Sequence, residues 1–284
     1  MEEAIRRFLV HLEQDRGATQ NTLLAYGTDL KQFDRVLSVS PHGDTFHDKI
    51  TKASLTHYAG WLEQQGYRPA TISRKMAAVR SFLDYLDQNE NFEGSFVNEA
   101  LKSPPNPRHE PIVLSPDELQ CLLEGPSVVR SASALRDSAI LTFIYETGFR
   151  AAEVVELWTA DIDLIFNAVR RPPGRTETRP LGAASSRIAQ YLQQGRPHLL
   201  RNPLENHLFL NHRGNGLSRQ GLWLVVKRWA ADVGIDRDIS PNTLRHTRAK
   251  TLLDSGMSRR DVQKFLGLSS PNAIRVHRTK VFEE

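Results

Sequence analysis

The apolar positions of the first hundred residues recur at intervals of three or four, which is the spacing of a buried helical face. Four helices are predicted from this pattern, beginning near residues 5, 21, 54 and 71. Ser54 is expected to cap the third helix and Gly66 to end it. In the second helix, the side chains expected to face a core are Leu24, Tyr26, Leu30 and Phe33. We therefore predict a helical bundle, whose opposite edge is basic.

Prolines interrupt this helical pattern. The segment LKSPPNPRHEP contains four prolines in eleven residues, and each of them favours an extended backbone. It is followed by Ser115, Pro116 and Glu118, which together form the signature of a capped helix start. The sequence therefore predicts a first domain over residues 1–101, a linker over 102–112 and a second domain over 113–284.

The second domain is predicted to be mostly helical. A largely apolar helix over residues 134–146 should end at Gly148, and three further helices follow after residue 218. Between Ile162 and Leu181 the pattern predicts a short hairpin or small sheet, with Pro172, Pro173 and Gly174 at its tip. The fold class expected for the whole chain is mainly α with a small β hairpin or sheet.

Composition narrows the class of protein. Hydrophobic residues make up 39% of the chain and charged residues 25%, which is typical of globular proteins. No apolar run approaches the roughly 20 residues of a membrane span. Cys121 is the only cysteine, so neither an internal disulfide nor a cysteine-based metal site is expected, and we predict that its side chain is buried. These observations favour a cytoplasmic protein.

Positive charge is concentrated near the end of the sequence. The net charge is only +4, but nine lysines and arginines lie between residues 245 and 280, against two acidic residues. Such a patch suits a polyanionic partner, because it displaces counterions from phosphates. A solvated helix face has the same composition, so the charge alone leaves both interpretations open.

Three colinear segments carry a family resemblance. They are RGATQNTLLAYGTDLKQF with RPATISRKMAAVRSFLDYL, then TGFRAAEVVELWTADID, and finally SPNTLRHTRAKTLLDSGMSRRDVQKFLGLSS. Together they resemble the tyrosine recombinase/phage integrase family, particularly its Xer type. The resemblance implies a helical core-binding domain and a catalytic domain that grip double-stranded DNA from two sides. It also implies a tyrosine that attacks a DNA phosphodiester without metal, ATP or another cofactor.

The resemblance assigns two phosphate-binding arginines. Arg150 matches the first arginine of the family and Arg245 the second, which His246 follows. Guanidinium groups suit this role because they bind two phosphate oxygens at once. The other catalytic positions are replaced. Asn242 and Leu268 stand where the family has histidines, no lysine occurs between residues 102 and 227, and Arg175 is the nearest hairpin cation.

The position of the nucleophile decides the interpretation. Nine residues after Leu268 the family has its tyrosine, whereas this sequence has His277. No tyrosine occurs after Tyr191, so a small error of register does not restore one. Loss of an essential member of a coupled catalytic group costs up to ~10⁶-fold in turnover. We therefore expect a degenerate active site.

DNA binding does not require the lost groups. Phosphate contacts would position the protein, and side chains such as Arg219 or Gln220 would read base edges. Trp223 and Trp229 are expected in the core. The candidate DNA contacts are Thr71, Ser73, Arg74, Lys75, Arg80, Arg150, Arg175, Arg219, Gln220, Lys227, Arg245 and His246.

Three hypotheses follow. The leading one is a catalytically inactive recombinase homologue that binds DNA as an architectural or regulatory factor, or as the silent partner of an active recombinase or of itself in an oligomer. The second is an active recombinase that uses His277 as a nucleophile. The third is a protein-interaction module that retains only the fold.

Overall fold

A computed structural model describes residues 1–38, 46–89, 92, 94–102, 110–174 and 176–268. Arg175 and His277, both singled out in the sequence, lie outside the described residues. The chain divides into two compact units, Met1–Arg108 and His109–Glu284.

The first unit is a helical bundle, as predicted. Its helices are α1 (Glu2–Gln14), α2 (Gln20–Ser38), α3 (Phe46–Lys49), α4 (Lys52–Gln64), α5 (Pro69–Asn89) and α6 (Val97–Ala100). The apolar faces of the four long helices close on one core, in which Phe8, Phe33, Tyr58 and Phe82 are fully buried. The edge-to-face contact of Phe8 with Phe82 joins α1 to α5.

Two local predictions for this unit were wrong. Leu24 is 61% exposed, because Leu23 rather than Leu24 lies on the buried face of α2. The N-cap of α4 is Thr51, whose hydroxyl accepts from the amide of Ser54. Ser54 itself is the third residue of that capping box and donates back to the Lys49 carbonyl. The helix therefore begins three residues earlier than expected.

The second unit combines helices with one small sheet. Its α-helices are α7 (Pro116–Glu124), α8 (Ala132–Thr147), α9 (Ala151–Val155), α10 (Ala184–Gln190), α11 (Arg196–Leu199), α12 (Arg219–Asp232), α13 (Pro241–Asp254) and α14 (Arg259–Leu266). The predicted start of α7 is confirmed, since Ser115 and Glu118 form a reciprocal capping box. Helix α8 is buried along nearly its whole length and forms the centre of this unit.

The sheet contains three antiparallel strands in the order β1 (Ile162–Asp163), β2 (Ala168–Arg170) and β3 (Thr178–Pro180). In its register Val169 pairs with Ile162 on one side and with Arg179 on the other. The predicted hairpin is thus confirmed as β2 and β3, with residues 172–174 in the connection.

The expected fold class, mainly α with a small sheet, is confirmed. Two side chains differ from expectation. Cys121 is exposed, because the neighbouring Leu122 occupies the buried face of α7. Trp223 is 42% exposed, whereas Trp229 is buried as expected. Within the described part of the chain, every helix is too short or too polar to serve as a transmembrane segment.

Candidate functional site

The two arginines singled out by the sequence, Arg150 and Arg245, converge on the turn that ends α14. We call them the motif arginines. Arg150 Nη2 donates to the Gly267 carbonyl at 2.7 Å, and Arg245 Nη2 donates to the Leu266 carbonyl at 2.6 Å. Because these carbonyls belong to consecutive residues, the two guanidinium groups share one small region although 95 residues of chain separate them. The site is therefore assembled by tertiary structure.

Gly148 allows the first motif arginine to reach this region. It ends α8 in the left-handed conformation with φ 64°, and its carbonyl accepts a hydrogen bond from Arg245 Nη1. A Cβ at this position would lie 2.6 Å from Leu266 Cδ2. Glycine is thus required both for its backbone conformation and for the close approach of the α14 end.

Glu153 fixes the orientation of Arg150. Its carboxylate accepts from the Arg150 backbone amide at 2.6 Å and from Arg150 Nη1 at 3.3 Å. Arg150 is the N-cap of α9, so this carboxylate also satisfies an amide at a helix start, where negative charge is favourable. The Arg150 side chain is still 48% exposed, which leaves part of its guanidinium accessible to a ligand.

Two arginines of the β2–β3 hairpin also reach this region, Arg171 directly after β2 and Arg179 within β3, and the sequence interpretation did not single them out. Arg171 donates to both carboxylate oxygens of Glu153, at 3.0 and 3.1 Å. Arg179 donates to the Lys264 carbonyl at 2.7 Å and pairs with Glu177. A signal existed in the sequence: strand alternation places Arg171 two residues from the buried Val169, on the same face.

The site therefore carries a surplus of positive charge. Four arginines, at positions 150, 171, 179 and 245, lie around two carboxylates: Glu153 and Glu177 form ion pairs with the first three, and Arg245 donates only to backbone carbonyls. Burial, together with the like charges of Arg150, Arg171 and Arg179, lowers the pKa of Arg245 to about 10. Arg245 still carries its charge at neutral pH, and such a cluster favours an anion.

Two of the replaced positions, Asn242 and Leu268, lie among the described residues, and neither side chain moves protons near neutral pH. Asn242 is exposed on the first turn of α13. Leu268 is half-buried after α14, where its carbonyl accepts from Gln263. His246, half-buried beside Arg245, is the one histidine retained from the motif. Among the described residues, no group of three potential metal ligands is brought together.

The remaining candidate contacts of the second unit lie on α12. Arg219 and Gln220 are exposed on its first turn, where they are available to a ligand. Lys227 forms an ion pair with Asp238, and its amine lies 5.0 Å from the centre of the Trp223 ring. Its charge is therefore partly neutralised within the fold.

Several candidate DNA contacts of the first unit instead form ion pairs or hydrogen bonds within that unit. Lys75 is buried, and its amine donates to Asp29 at 2.9 Å and to Gln32 at 2.6 Å, so it is not placed to contact DNA. Arg80 donates to the Leu101 carbonyl at 2.8 Å. Arg74 contacts the same Asp29 but keeps 45% of its side chain exposed.

Two small candidates on α5 are less accessible. Thr71 and Ser73 are half-buried, and the Ser73 hydroxyl is enclosed without a hydrogen-bond partner. Of the basic edge predicted for this bundle, Arg74 is therefore the side chain best placed for an external ligand.

The basic segment from residue 245 is not a uniform solvated face. Arg245 is buried, Arg248 pairs with Glu146 at 3.1 Å, and Lys250 pairs with Asp254 at 3.1 Å. Arg259 and Arg260 are exposed at the start of α14. The cations at residues 275, 278 and 280 lie outside the described residues.

Comparison with known proteins gives a consistent picture. Residues 113–283 match the model of the phage integrase family, and residues 5–90 match the N-terminal SAM-like domain of phage integrases. The chain is 35% identical over 280 residues to the tyrosine recombinase XerC of Herpetosiphon aurantiacus, covering 98% of this chain and 90% of that protein. It is 34% identical over 281 residues to the tyrosine recombinase XerD of Halalkalibacterium halodurans, covering 97% and 93%.

Solved structures show the same fold. The Tn1549 transposon integrase in complex with a circular intermediate DNA has a TM-score of 0.74 at 14% identity, covering 97% of this chain and 95% of that one. The XerH recombinase bound to its palindromic difH substrate has a TM-score of 0.71 at 22% identity, covering 92% and 76%.

Proposed function

The chain belongs to the phage integrase family of tyrosine recombinases, and from that premise we propose that it binds double-stranded DNA without cleaving it. In this role it acts as an architectural or regulatory factor, or as the silent partner in an assembly with an active recombinase or with copies of itself. The observation that carries the proposal is the convergence of Arg150 and Arg245 on one turn, in a sequence that has Asn242 and Leu268 in place of the two histidines.

Phosphate binding is supported by the charge and accessibility of the site. Four arginines lie around two carboxylates there, and Arg150 is half-exposed. A phosphate diester is an anion that accepts hydrogen bonds through two oxygens, which matches the paired donors of a guanidinium group. The structures of XerH and of the Tn1549 integrase, which share this fold, contain bound DNA. A lambda integrase of the same fold was solved as a tetramer bound to a Holliday junction.

The absence of cleavage is supported by the side chains themselves. Residues 192–284 contain no tyrosine, and no lysine lies in the hairpin. The cations that the hairpin does contribute to the described site are arginines, which stay protonated and are poor general acids. Leu268 offers no side-chain hydrogen bond to a transition state. Such a site suits holding a phosphate more than breaking its ester bond. We propose that the DNA it binds is in the cytoplasm.

A binding experiment tests the first half of the proposal. Purified protein is titrated against pooled fragments of its own genome in a gel-shift assay at several salt concentrations. Selective binding that weakens steeply with salt is expected, because displaced counterions drive association. The Arg150→Gln variant should weaken binding by about tenfold or more, since a charged phosphate contact is lost. Absence of binding at low salt would reject the proposal and favour a protein-interaction module.

A cleavage experiment tests the second half. The selected DNA site is prepared with a nick that traps any covalent intermediate, and products are separated under denaturing conditions. No covalent adduct is expected from the wild-type protein. An adduct that disappears in the His277→Ala variant would show that the histidine is a nucleophile and would replace this proposal with an active recombinase.

A further inference from the structure

Arg171 connects three parts of the site that are distant in sequence. Its side chain is 7% exposed and its fork holds both oxygens of Glu153. Its Nη2 also donates to the Leu266 carbonyl at 3.3 Å, the same carbonyl that accepts from Arg245. The β2–β3 hairpin, α9 and the end of α14 thus meet at one guanidinium group.

The packing around Arg171 leaves little freedom for this group. Its guanidinium lies 5.0 Å from the centre of the Phe149 ring. On the other side is Gly267, where an added Cβ would lie 2.7 Å from Arg171 Nη1. Gly267 also has a φ of 60°, so a glycine is needed there both for the turn and for contact with the guanidinium.

Arg171 and Arg150 are connected by hydrogen bonds to the same carboxylate. Glu153 is a partner that both arginines share: its two carboxylate oxygens accept from Arg171, and they also accept from the backbone amide and Nη1 of Arg150. Without Arg171, this carboxylate would lose two charged donors and be free to rotate away from Arg150. The accessible motif arginine therefore depends on a buried arginine of the hairpin for its orientation.

We propose that Arg171 is a positioning residue for DNA phosphate, which it does not contact itself. Through Glu153 it orients Arg150, and through Leu266 and Gly267 it holds the turn on which both motif arginines converge. The phosphate site is thereby ordered before DNA arrives, which lowers the ordering cost of binding. This inference rests on the proposed DNA-binding function and adds a residue that no family motif singled out.

The neighbouring Arg170 provides a matched control. It carries the same charge and directly precedes Arg171 at the end of β2, but its side chain is 49% exposed and contacts the Ala160 carbonyl and Asp161. The variants Arg171→Met and Arg170→Met each remove one positive charge. Arg171→Lys keeps the charge but removes the paired N–H donors that bind both oxygens of Glu153. It therefore tests the positioning of Glu153 without a change in net charge.

DNA affinity is measured for these variants as a function of salt concentration, after thermal melting has shown that each is folded. Arg171→Met and Arg171→Lys are both expected to weaken binding about tenfold, and to lower the slope of log K against log salt by ~0.9, the value for one lost phosphate contact. Arg170→Met should change affinity less than about twofold and leave the slope unchanged. A residue with a merely structural role would lower the melting temperature without changing this slope.

A double variant tests whether Arg171 acts through Arg150. If it does, the loss of affinity in Arg150→Gln combined with Arg171→Met is smaller than the sum of the two single losses, because the Arg150 guanidinium is no longer there to be oriented. Additive losses, or equal behaviour of the Arg171 and Arg170 variants, would overturn the proposal.

A measurement without DNA separates this inference from the proposed function. The amides of Gly267 and Leu268 donate to the Lys264 and Gln263 carbonyls, and their hydrogen exchange reports on the turn. Arg171→Met should accelerate exchange at both amides by about tenfold, whereas Arg170→Met should not. If wild-type protein fails to bind DNA, only the proposed function is rejected, and unchanged exchange in Arg171→Met rejects the positioning role independently.

Discussion

Arg245 Nη2 donates to the Leu266 carbonyl at 2.6 Å, and this bond ties the middle of α13 to the end of α14. The guanidinium is 6% exposed, and its Nη1 donates to the Gly148 carbonyl, which ends α8. One side chain thus satisfies carbonyl groups at two helix ends, where cations are favourable. The same residue that the family motif assigns to phosphate also holds the second unit together.

Replacement of Arg245 should therefore reduce stability as well as binding. We expect Arg245→Met to lower the free energy of unfolding by about 1–3 kcal/mol, because buried carbonyls lose their donors while a desolvated charge is removed. Urea denaturation measures this loss. A variant as stable as the wild type would show that the cost of burying the charge balances its hydrogen bonds.

The pH dependence of this loss follows from the pKa of Arg245, which burial lowers to about 10, below the ordinary value of a guanidinium group. The folded state resists protonation of Arg245, so the unfavourable contribution of its buried charge is fully present below about pH 10. This contribution is relieved only as the pH rises through the lowered pKa toward the ordinary pKa of a guanidinium group. The difference in unfolding free energy between wild type and Arg245→Met should therefore be constant from about pH 6 to 9. A difference that changes steadily across this range would contradict the assignment.

Gly267→Ala should be more damaging than an alanine at a comparable glycine. Gly267 and Gly256 both have positive φ, 60° and 95°, but only at Gly267 would a Cβ meet a neighbour, the Arg171 guanidinium at 2.7 Å. We expect Gly256→Ala to cost ~1–2 kcal/mol for its backbone conformation. Gly267→Ala should cost about 1–2 kcal/mol more, because the guanidinium must shift. Equal losses in urea denaturation would show that the turn yields without strain.

Asp29 and Lys75 should behave as a buried pair in the first unit. Both are buried, with Lys75 Nζ 2.9 Å from Asp29 Oδ1. Asp29→Ala leaves the lysine without its carboxylate and should cost about 3–5 kcal/mol. Adding Lys75→Met should recover most of this loss, because the uncompensated charge is removed. Failure of the double variant to recover stability would mean that Arg74 or Gln32 carries the interaction.

The Ser115 cap should stabilise the start of α7. Its hydroxyl accepts from the Glu118 amide at 3.2 Å, and the Glu118 carboxylate accepts from the Ser115 amide at 2.8 Å. Ser115→Ala should lower the unfolding free energy by about 1 kcal/mol, whereas Ser115→Asp, which also caps, should lower it less. Thermal melting of the two variants distinguishes capping from a general effect of substitution at this site.

The sequence by itself determined the helices and most of their ends. Periodic apolar residues, the Ser115 capping box and Gly148 act over a few residues, and local steric and hydrogen-bonding rules govern them. The motif also identified Arg150 and Arg245. Where two neighbouring apolar residues competed for one buried face, as Leu23 and Leu24 do, periodicity alone did not choose between them, and burial in the bundle decided.

Only the tertiary structure decided which basic side chains stay exposed and which are buried in ion pairs within the protein. Lys75 and Arg74 are adjacent and both basic, yet one is buried on Asp29 and the other is half-exposed. Arg171 and Arg170, which are adjacent at the end of β2, show the same contrast. Asp29 is 46 residues from Lys75, and Leu266 is 95 residues from Arg171. The energy of a charge depends on its surroundings more than on its sequence neighbours. The arginine cluster around the end of α14 is therefore a property of the fold, since four separate segments must meet before its charges act together.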